Sequence, residues 1–592
     1  MALPGHEVGQ RLASQCATFG RACLAYQQDK GLDFPLMSSE QTAKRQPSLL
    51  DASCDNFVHD LAELSPTDAT AWGIDGFEGE LQDFSPDYFE AVADRTRDMV
   101  ADLDALDDTT DESDDDDDFD DVDYVTAAVL RDRLCLDLDL HHHGEDIRSL
   151  NNIASPVQTI RDSLLLMPQD TPEDREAIRS RLSKVKGSLD GYRESLKEAA
   201  SHGMVAPHRQ ISEVIVQCER LADADSMLEG LGLDPDSAEV KKAKEAFGEF
   251  SDWLSNDLQP QSSNKDAVGR ERYERFSKLF VGDAVDLDEA YEWGLDQVRF
   301  LRGEQEKVAH ELYGSECSVR SAMRKLNHEE RYTLRGTDAL VEWMQGKADA
   351  VIAELNGKEF DIPAEVEEIE CRIDPAGTGG IFYTPPSDDF SRPGRMWWSV
   401  PEGQDTFHTW QELTTVHHEG VPGHHLQLGF ALVQEDLNLW RRAVTWNSGH
   451  GEGWALYAEQ LMAELGYMDD PGVRMGLLDA QRLRAARVVV DIGLHLGKKL
   501  PDCTVSGVWD KAHVKTYMRE NTAMDDANLN FEVNRYLGWP GQAPSYALGQ
   551  RLWKETRAAA EEQGMSAREF HSAALALGSV PMSVLREAVL NN

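Results

Sequence analysis

Along most of the chain, apolar positions recur at the three- and four-residue spacing of amphipathic helices. Phe57, Leu61 and Leu64 begin the pattern, and Ala177 to Ala199, Ile211 to Leu228 and Leu287 to Leu312 carry it through the first half. Tyr124 to Leu140 reads the same way and runs into His141, His142 and His143. Three adjacent rings point in different directions on a helix, so they mark its end rather than a metal site. The period changes between residues 365 and 400. Val366–Ile373, Gly380–Tyr383 and Met396–Val400 have the β-branched and aromatic content of short strands, the last introduced by the turn-forming Ser391 to Arg395. Residues 405–592 return to helix. The pattern predicts a mainly α protein with one small β-sheet near its most informative motif.

Length and charge refine this. A chain of 592 residues exceeds the about 250–300 that one core fills. The expected division is an extension over residues 1–50, a helical lobe over 51–360, and a catalytic lobe over 361–592 that holds the small sheet. Asp107 to Asp123 interrupts the first lobe with a block of like charge, read as a solvated acidic insertion. The whole chain has 108 acidic and 58 basic residues, a net charge of −50. That surface argues against nucleic acid as a partner. It predicts adaptation to a cytosol of molar salt, with structure lost when salt no longer screens self-repulsion. No apolar run approaches the ~18 residues of a membrane span. Met1 to Gly20 lacks the basic and apolar segments of a secretory signal, and the eight cysteines are scattered without a CxxC pair. A cytoplasmic protein with no membrane partner is expected.

Thr414 to Gln427, TTVHHEGVPGHHLQ, places four histidines and a glutamate between His417 and His425. In the zincin helix H-E-x-x-H, the histidines sit one turn apart on one face, with the glutamate holding a water beside them. Here His418-Glu419 is followed by GVPG, and His424 stands at i+6, ~600° around an ideal helix. Pro422 donates no backbone hydrogen bond and Gly423 tolerates unusual dihedrals, so a bulge that swings His424 back over His418 is expected. His425 is the rival ligand. At i+7 it shares the His418 face but lies ~10.5 Å along the axis, too far for joint ligation at ~2.0–2.1 Å. His424 is preferred. A third ligand is expected on the helix Gly451 to Gly466, where Glu452 and Glu459 share a face. Two histidines and a carboxylate leave one zinc position open, as catalysis requires, and no cysteine is near to close it.

HHEGVPGHHLQ, EGWALYAEQL, LRAARVVVDIGLH and FEVNRYLGWPGQAPSYALG, together with Arg392 to Gly394, run in order over about residues 370–550. They resemble the domain-of-unknown-function 885 family, whose members are similar to the helical metallopeptidases typified by neurolysin and angiotensin-converting enzyme. The resemblance implies a mainly α, neurolysin-like zincin fold. It implies one zinc ion held by His418, His424 and Glu452, with Glu419 as general base. It also implies a short-peptide substrate, cut by oligopeptidase or carboxypeptidase action. The converting-enzyme relatives carry a similar pair to Arg535-Tyr536, which makes Tyr536 the first candidate for oxyanion donor and Tyr546 the second. Arg535 and Gln542 are candidates for holding a substrate carboxylate, and His417, His425 and Glu459 for steadying the ligands. Arg487, Asp491 and His495 form one helix stripe, read either as a network behind the zinc or as an intrahelical ladder. Met396–Val400 is expected to pair with an extended peptide, in a cleft between the lobes. The rival functions are a zinc hydrolase of a non-peptide amide or ester, and a non-catalytic binding protein that retains the fold.

Overall fold

The computed structural model describes residues 45–110, 119–374, 380–387, 390–401, 403–501 and 507–591. Residues 1–44 of the expected extension, 111–118 of the acidic insertion, and Cys16, Cys23 and Cys503 lie outside the described residues.

The protein is mainly helical, as its periodicity predicts. Helix α1 (Leu49–Leu64) starts at a capping box in which Ser48 and Asp51 satisfy each other's backbone amides, and it is followed by α2 (Pro66–Trp72) and α3 (Pro86–Thr110). Asp120 and Asp123 form a second box at the start of α4 (Asp121–His142), and the three histidines do mark its end. Helices α5 (Pro156–Leu166), α6 (Pro172–Ser201), α7 (His208–Ala222) and α8 (Ala238–Trp253) enclose a core of their own around Ile160, Leu182, Val214 and Phe247. Then come α9 (Arg270–Val281), α10 (Leu287–Tyr313), α11 (Val319–Leu326) and α12 (Thr337–Leu355). After the strands follow α13 (Thr409–Glu419), α14 (His424–Leu432), α15 (Ser448–Glu464), α16 (Pro471–His495), α17 (Lys511–Asn521) and α18 (Asp526–Gly538). The chain ends in α19 (Ser545–Glu562), α20 (Ala567–Ala576) and α21 (Met582–Leu590). No described helix is long and apolar enough to cross a membrane.

A boundary at residue 360 does not divide the packing. The largest core joins Leu50, Val58 and Leu130 from α1 and α4 to Leu340, Trp454, Trp553 and Leu585. Helices α1 and α4 therefore close over the part that carries the motifs.

The strands are β1 (Thr333–Arg335), β2 (Ile369–Ile373), β3 (Ile381–Thr384), β4 (Gly394–Trp398) and β5 (Thr406–His408). β1 and β5 form an antiparallel pair, and the other three form a sheet in the order β2-β4-β3, with β4 parallel to β2 and antiparallel to β3. This corrects the expectation for Met396–Val400. That segment is β4, the central strand, whose backbone groups are taken up by neighbours on both sides. The edge is β3.

Two helix pairs set the site: α10 lies along α16, and α15 along α19. The second pair meets at glycine. A Cβ on Gly453 would come within 2.5 Å of the Gly549 carbonyl carbon, and one on Gly549 would collide with the Gly449 carbonyl oxygen, so the two helix backbones touch only because these positions lack one. That contact fixes the position of the adjoining Glu452.

Candidate metal centre

Helix α13 buries Trp410, Leu413 and Val416 in the core and carries His417, His418 and Glu419 on its last, buried turn. It stops at Gly420. The Val421–Pro422 peptide is cis, and a new helix, α14, begins at His424. The expected bulge is thus a full break between two helices. Its tightness depends on Gly423, whose amide donates to the His417 carbonyl at 3.1 Å. A Cβ at that position would collide with the carbonyl oxygens of His417 and His418. The break sets the His424 ring edge-on to His418, with centroids 4.9 Å apart and planes at 87°.

The third candidate ligand comes from α15. Asn447 caps this helix by accepting from the His450 amide at 3.0 Å, which places Glu452 near its start. Glu452 Oε2 lies 3.4 Å from His418 Nε2 and 3.6 Å from His424 Nε2. One ligand atom from each of the three residues falls within 4.8 Å of the others. Tetrahedral zinc with bonds of ~2.0–2.1 Å needs ligand separations of about 3.3 Å, so the donor set and its spacing fit that ion. Glu459, two turns further along the same face, accepts from His418 Nδ1 at 2.8 Å, and its other oxygen accepts from the Thr414 hydroxyl. His418 is held from both sides. His424 has no such brace: its Nδ1 is buried without a partner among the described residues.

The electrostatics favour a cation. Burial disfavours charge on His418, but Glu452 and Glu459 outweigh it and raise the imidazole to about 10. Burial also opposes charge on Glu452, which His418 and His424 nonetheless hold well below the ordinary glutamate value. Glu419 is shifted the other way, because its burial outweighs the pull of the same histidines.

A cavity of ≈ 420 Å³ opens over these groups. Residues 381–383 of β3 form one wall, and Arg484, Arg487 and Tyr546 line it from α16 and α19. Every lining residue falls between 381 and 546, so the cleft lies within the C-terminal part and not between two lobes.

Several expectations need correction at this level. Tyr536 is fully buried and away from the cleft lining; its hydroxyl donates to Glu532 and accepts from Arg487 Nε at 3.0 Å. Tyr546, the second choice, lines the cleft. Arg535 and Gln542 do not: the Arg535 guanidinium is spent on Gln542, on Glu532 at 3.0 Å and on the Tyr546 hydroxyl at 3.4 Å. His425 faces away from the site, accepting from the Tyr383 hydroxyl at Nδ1 (2.9 Å) and donating from Nε2 to the Val366 carbonyl (2.9 Å). It anchors β3, while His417 leans on the Val421 carbonyl at 3.3 Å and braces the turn. The stripe on α16 is neither network nor ladder. Asp491 accepts from Tyr273 at 2.6 Å and from the Gly541 amide at 2.9 Å, and His495 bonds the Tyr536 carbonyl at 2.8 Å. Arg487 alone of the three reaches the cleft. Sequence reasoning missed Arg484, although its spacing of three from Arg487 on one helix was signal enough. It also missed Glu532, the shared partner of Arg487 (2.7 Å) and Arg535.

Solved structures similar to the chain include one from Colwellia psychrerythraea, described as a "putative lipoprotein". It has 22% identity and a TM-score of 0.76, with 91% of this chain and 98% of that one covered. Another, from Shewanella oneidensis, is described as a "putative lipoprotein of unknown function". It has 15% identity and a TM-score of 0.69, with 91% and 99% covered. At these identities the likeness is one of fold. No curated protein matches the sequence. The family model "Bacterial protein of unknown function (DUF885)" matches residues 66–589, a span that contains all three ligand candidates and every motif quoted above, and the chain belongs to that family.

Proposed function

We propose that the cleft is the active site of a zinc-dependent hydrolase that cuts peptide bonds in short peptides. The observation that carries this reading is the convergence of His418, His424 and Glu452 within 4.8 Å beside Glu419, a buried carboxyl outside the ligand set. A zinc ion held by those three side chains would supply Lewis acidity, which acidifies water and polarises a carbonyl. Glu419, its proton affinity raised by burial, takes the proton of the attacking water and passes it to the departing amine. Tyr546 replaces Tyr536 as the donor to the developing oxyanion. β3 has one edge unpaired among the described residues and lines the cleft, so it offers backbone groups to an extended peptide. Arg484 pairs with no carboxylate among the described residues, and together with Arg487 it receives the substrate carboxylate in place of Arg535 and Gln542.

Helix-borne histidines, a carboxylate from the next helix and an adjacent edge strand support a zincin-like architecture. Unbridged, buried Cys54, Cys218 and Cys371 support a reducing cytoplasm.

The test is metal content by elemental mass spectrometry, followed by turnover of a panel of short peptides and acyl esters. About one zinc per chain, with peptide cleavage lost in Glu419→Gln while the metal stays, is expected. Metal-loaded protein that cleaves esters alone would move the reading to a non-peptide hydrolase. Loaded protein that cleaves neither would leave a binding protein.

A further inference from the structure

A second cavity, of ≈ 600 Å³, lies on the opposite side of α16 and has no part in the chemistry above. Arg302 from α10, Arg320 and Arg324 from α11 and Arg482 from α16 line it. None of the four forms an ion pair with a carboxylate among the described residues, in a chain whose acidic residues outnumber its basic ones by 108 to 58. This is not for want of acids. Glu306 follows Arg302 at the i+4 spacing that suits a helical pair, and Glu316 and Glu520 also line the cavity, yet none closes on a guanidinium. One turn earlier on the same helix, Arg299 does pair, with Asp296.

The end of α17 takes one nitrogen from each of three arginines. Arg482 Nε donates to the Asn521 carbonyl at 2.8 Å, Arg302 to the Asn521 side chain at 2.7 Å, and Arg320 to the Arg519 carbonyl at 2.8 Å. The rest of each fork has no protein acceptor among the described residues. Arg482 is 5% exposed, so its remaining donors are held in place at the cavity wall. Burial holds its guanidinium below the usual arginine value, and Arg302 and Arg320 add to this against the pull of Asp479. Val319 and Arg320, whose amides open α11, line the same space, and neither amide donates to a protein acceptor among the described residues.

We propose that this cavity binds a phosphorylated small molecule, whose phosphoryl oxygens are taken by Arg302, Arg320, Arg482 and the first amides of α11. Forked guanidinium groups and a helix N-terminus are the two protein devices that suit a phosphoryl group. The volume leaves room for a sugar or nucleoside beyond it. The site is separate from the proposed hydrolase centre, because residues 482 and 484 lie ~200° apart around α16.

The test is calorimetric titration with inorganic pyrophosphate, ADP and adenosine at constant ionic strength. It uses the full chain, the double variant Arg302→Glu/Arg320→Glu, and His424→Ala. Both substituted arginines are exposed, so the double variant keeps its fold, which its melting temperature checks. Pyrophosphate and ADP should bind below about 1 mM and adenosine should not. The double variant should bind at least ~10-fold more weakly, and His424→Ala should bind as wild type. ADP tighter than pyrophosphate identifies a nucleotide; equal affinity identifies another phosphorylated molecule. No binding, undiminished binding in the double variant, or loss confined to His424→Ala would each overturn the proposal.

Discussion

Glu459 accepts from His418 Nδ1 at 2.8 Å, which turns the other ring nitrogen of His418 toward Glu452 Oε2, 3.4 Å away. Two carboxylates seven residues apart on α15 therefore grip one imidazole from opposite sides, one as candidate ligand and the other as orienting partner. Partners of this kind tune metal affinity by about 10–100-fold. Glu459→Gln preserves the shape and the Thr414 contact but removes the charge, so zinc affinity should fall by about that factor with the fold intact. Competition against a chelator of known affinity measures it. Affinity within about twofold of wild type would reduce Glu459 to packing.

His424 and His425 are adjacent and should behave in opposite ways. His424→Ala removes a candidate ligand whose other nitrogen has no partner among the described residues, so metal should be lost with little change in stability. His425→Ala removes a fully buried ring that ties Tyr383 to Val366. It should keep the metal and cost about 2–4 kcal/mol, because a cavity forms and two polar partners are stranded. Elemental analysis beside urea unfolding separates the two; metal lost in His425→Ala would reverse the assignment.

The tyrosines divide similarly. Tyr546 faces the cleft between Arg487 and Arg535, whose guanidinium carbons lie 5.0 and 5.8 Å from its ring centre. Tyr546→Phe should lower kcat about 10²-fold while stability changes by less than ~1 kcal/mol. Tyr536→Phe should do the reverse, losing about 1–3 kcal/mol as Glu532 and Arg487 lose a buried partner. Steady-state kinetics beside denaturation curves decide, and equal kcat losses would return Tyr536 to the reaction.

A net charge of −50 predicts a fold whose stability depends on salt. The Debye length falls from about 10 Å at 0.1 M to about 3 Å at 1 M, so molar KCl removes most repulsion between surface carboxylates. The melting temperature should rise steeply from dilute buffer to molar KCl. A flat profile would mean that the acidic surface is not an adaptation to salt.

Helices were legible because each buries one apolar stripe, whereas the candidate triad was implied by the family resemblance, since spacing alone left Glu452 and Glu459 both open as the carboxylate. What stayed hidden was decided by contacts between distant segments. Pro422 and Gly423 announced an interruption, but the collision that a Cβ on Gly423 would make with the His417 and His418 carbonyls, and hence a complete break, is a property of the backbone path. Tyr536 and Tyr546 belong to one motif, and the one that meets the cleft depends on the turn at Gly541, where φ is +82°. Asp491 looked like a partner for Arg487 until Tyr273 and the Gly541 amide arrived from elsewhere to claim it.

His571 gives a prediction for pH. It is fully buried, and its Nε2 lies 2.6 Å from the Tyr457 hydroxyl, which also accepts from Arg557 at 2.9 Å. Burial, reinforced by the Arg557 charge, lowers this imidazole to about 3. In the unfolded chain it takes up a proton near 6.5, so between about 6.5 and 3 the unfolded state binds the extra proton. Its contribution to stability is complete above pH 6.5 and is lost as pH falls through that window, at up to ~1.4 kcal/mol per pH unit. His495, lowered to about 4 chiefly by burial, acts with the same sign. Asp491 opposes both: burial raises it to about 7, so its contribution is present at low pH and is lost as pH rises from about 4 to 7. The readout is therefore a difference between proteins. His571→Gln should be less stable than wild type at pH 8, and the gap should narrow by about 2 kcal/mol at pH 5, because the variant has no proton to take up on unfolding. Unfolding free energies at the two pH values measure this, and a gap that stays constant would show that His571 titrates in the folded protein as it does in the unfolded chain.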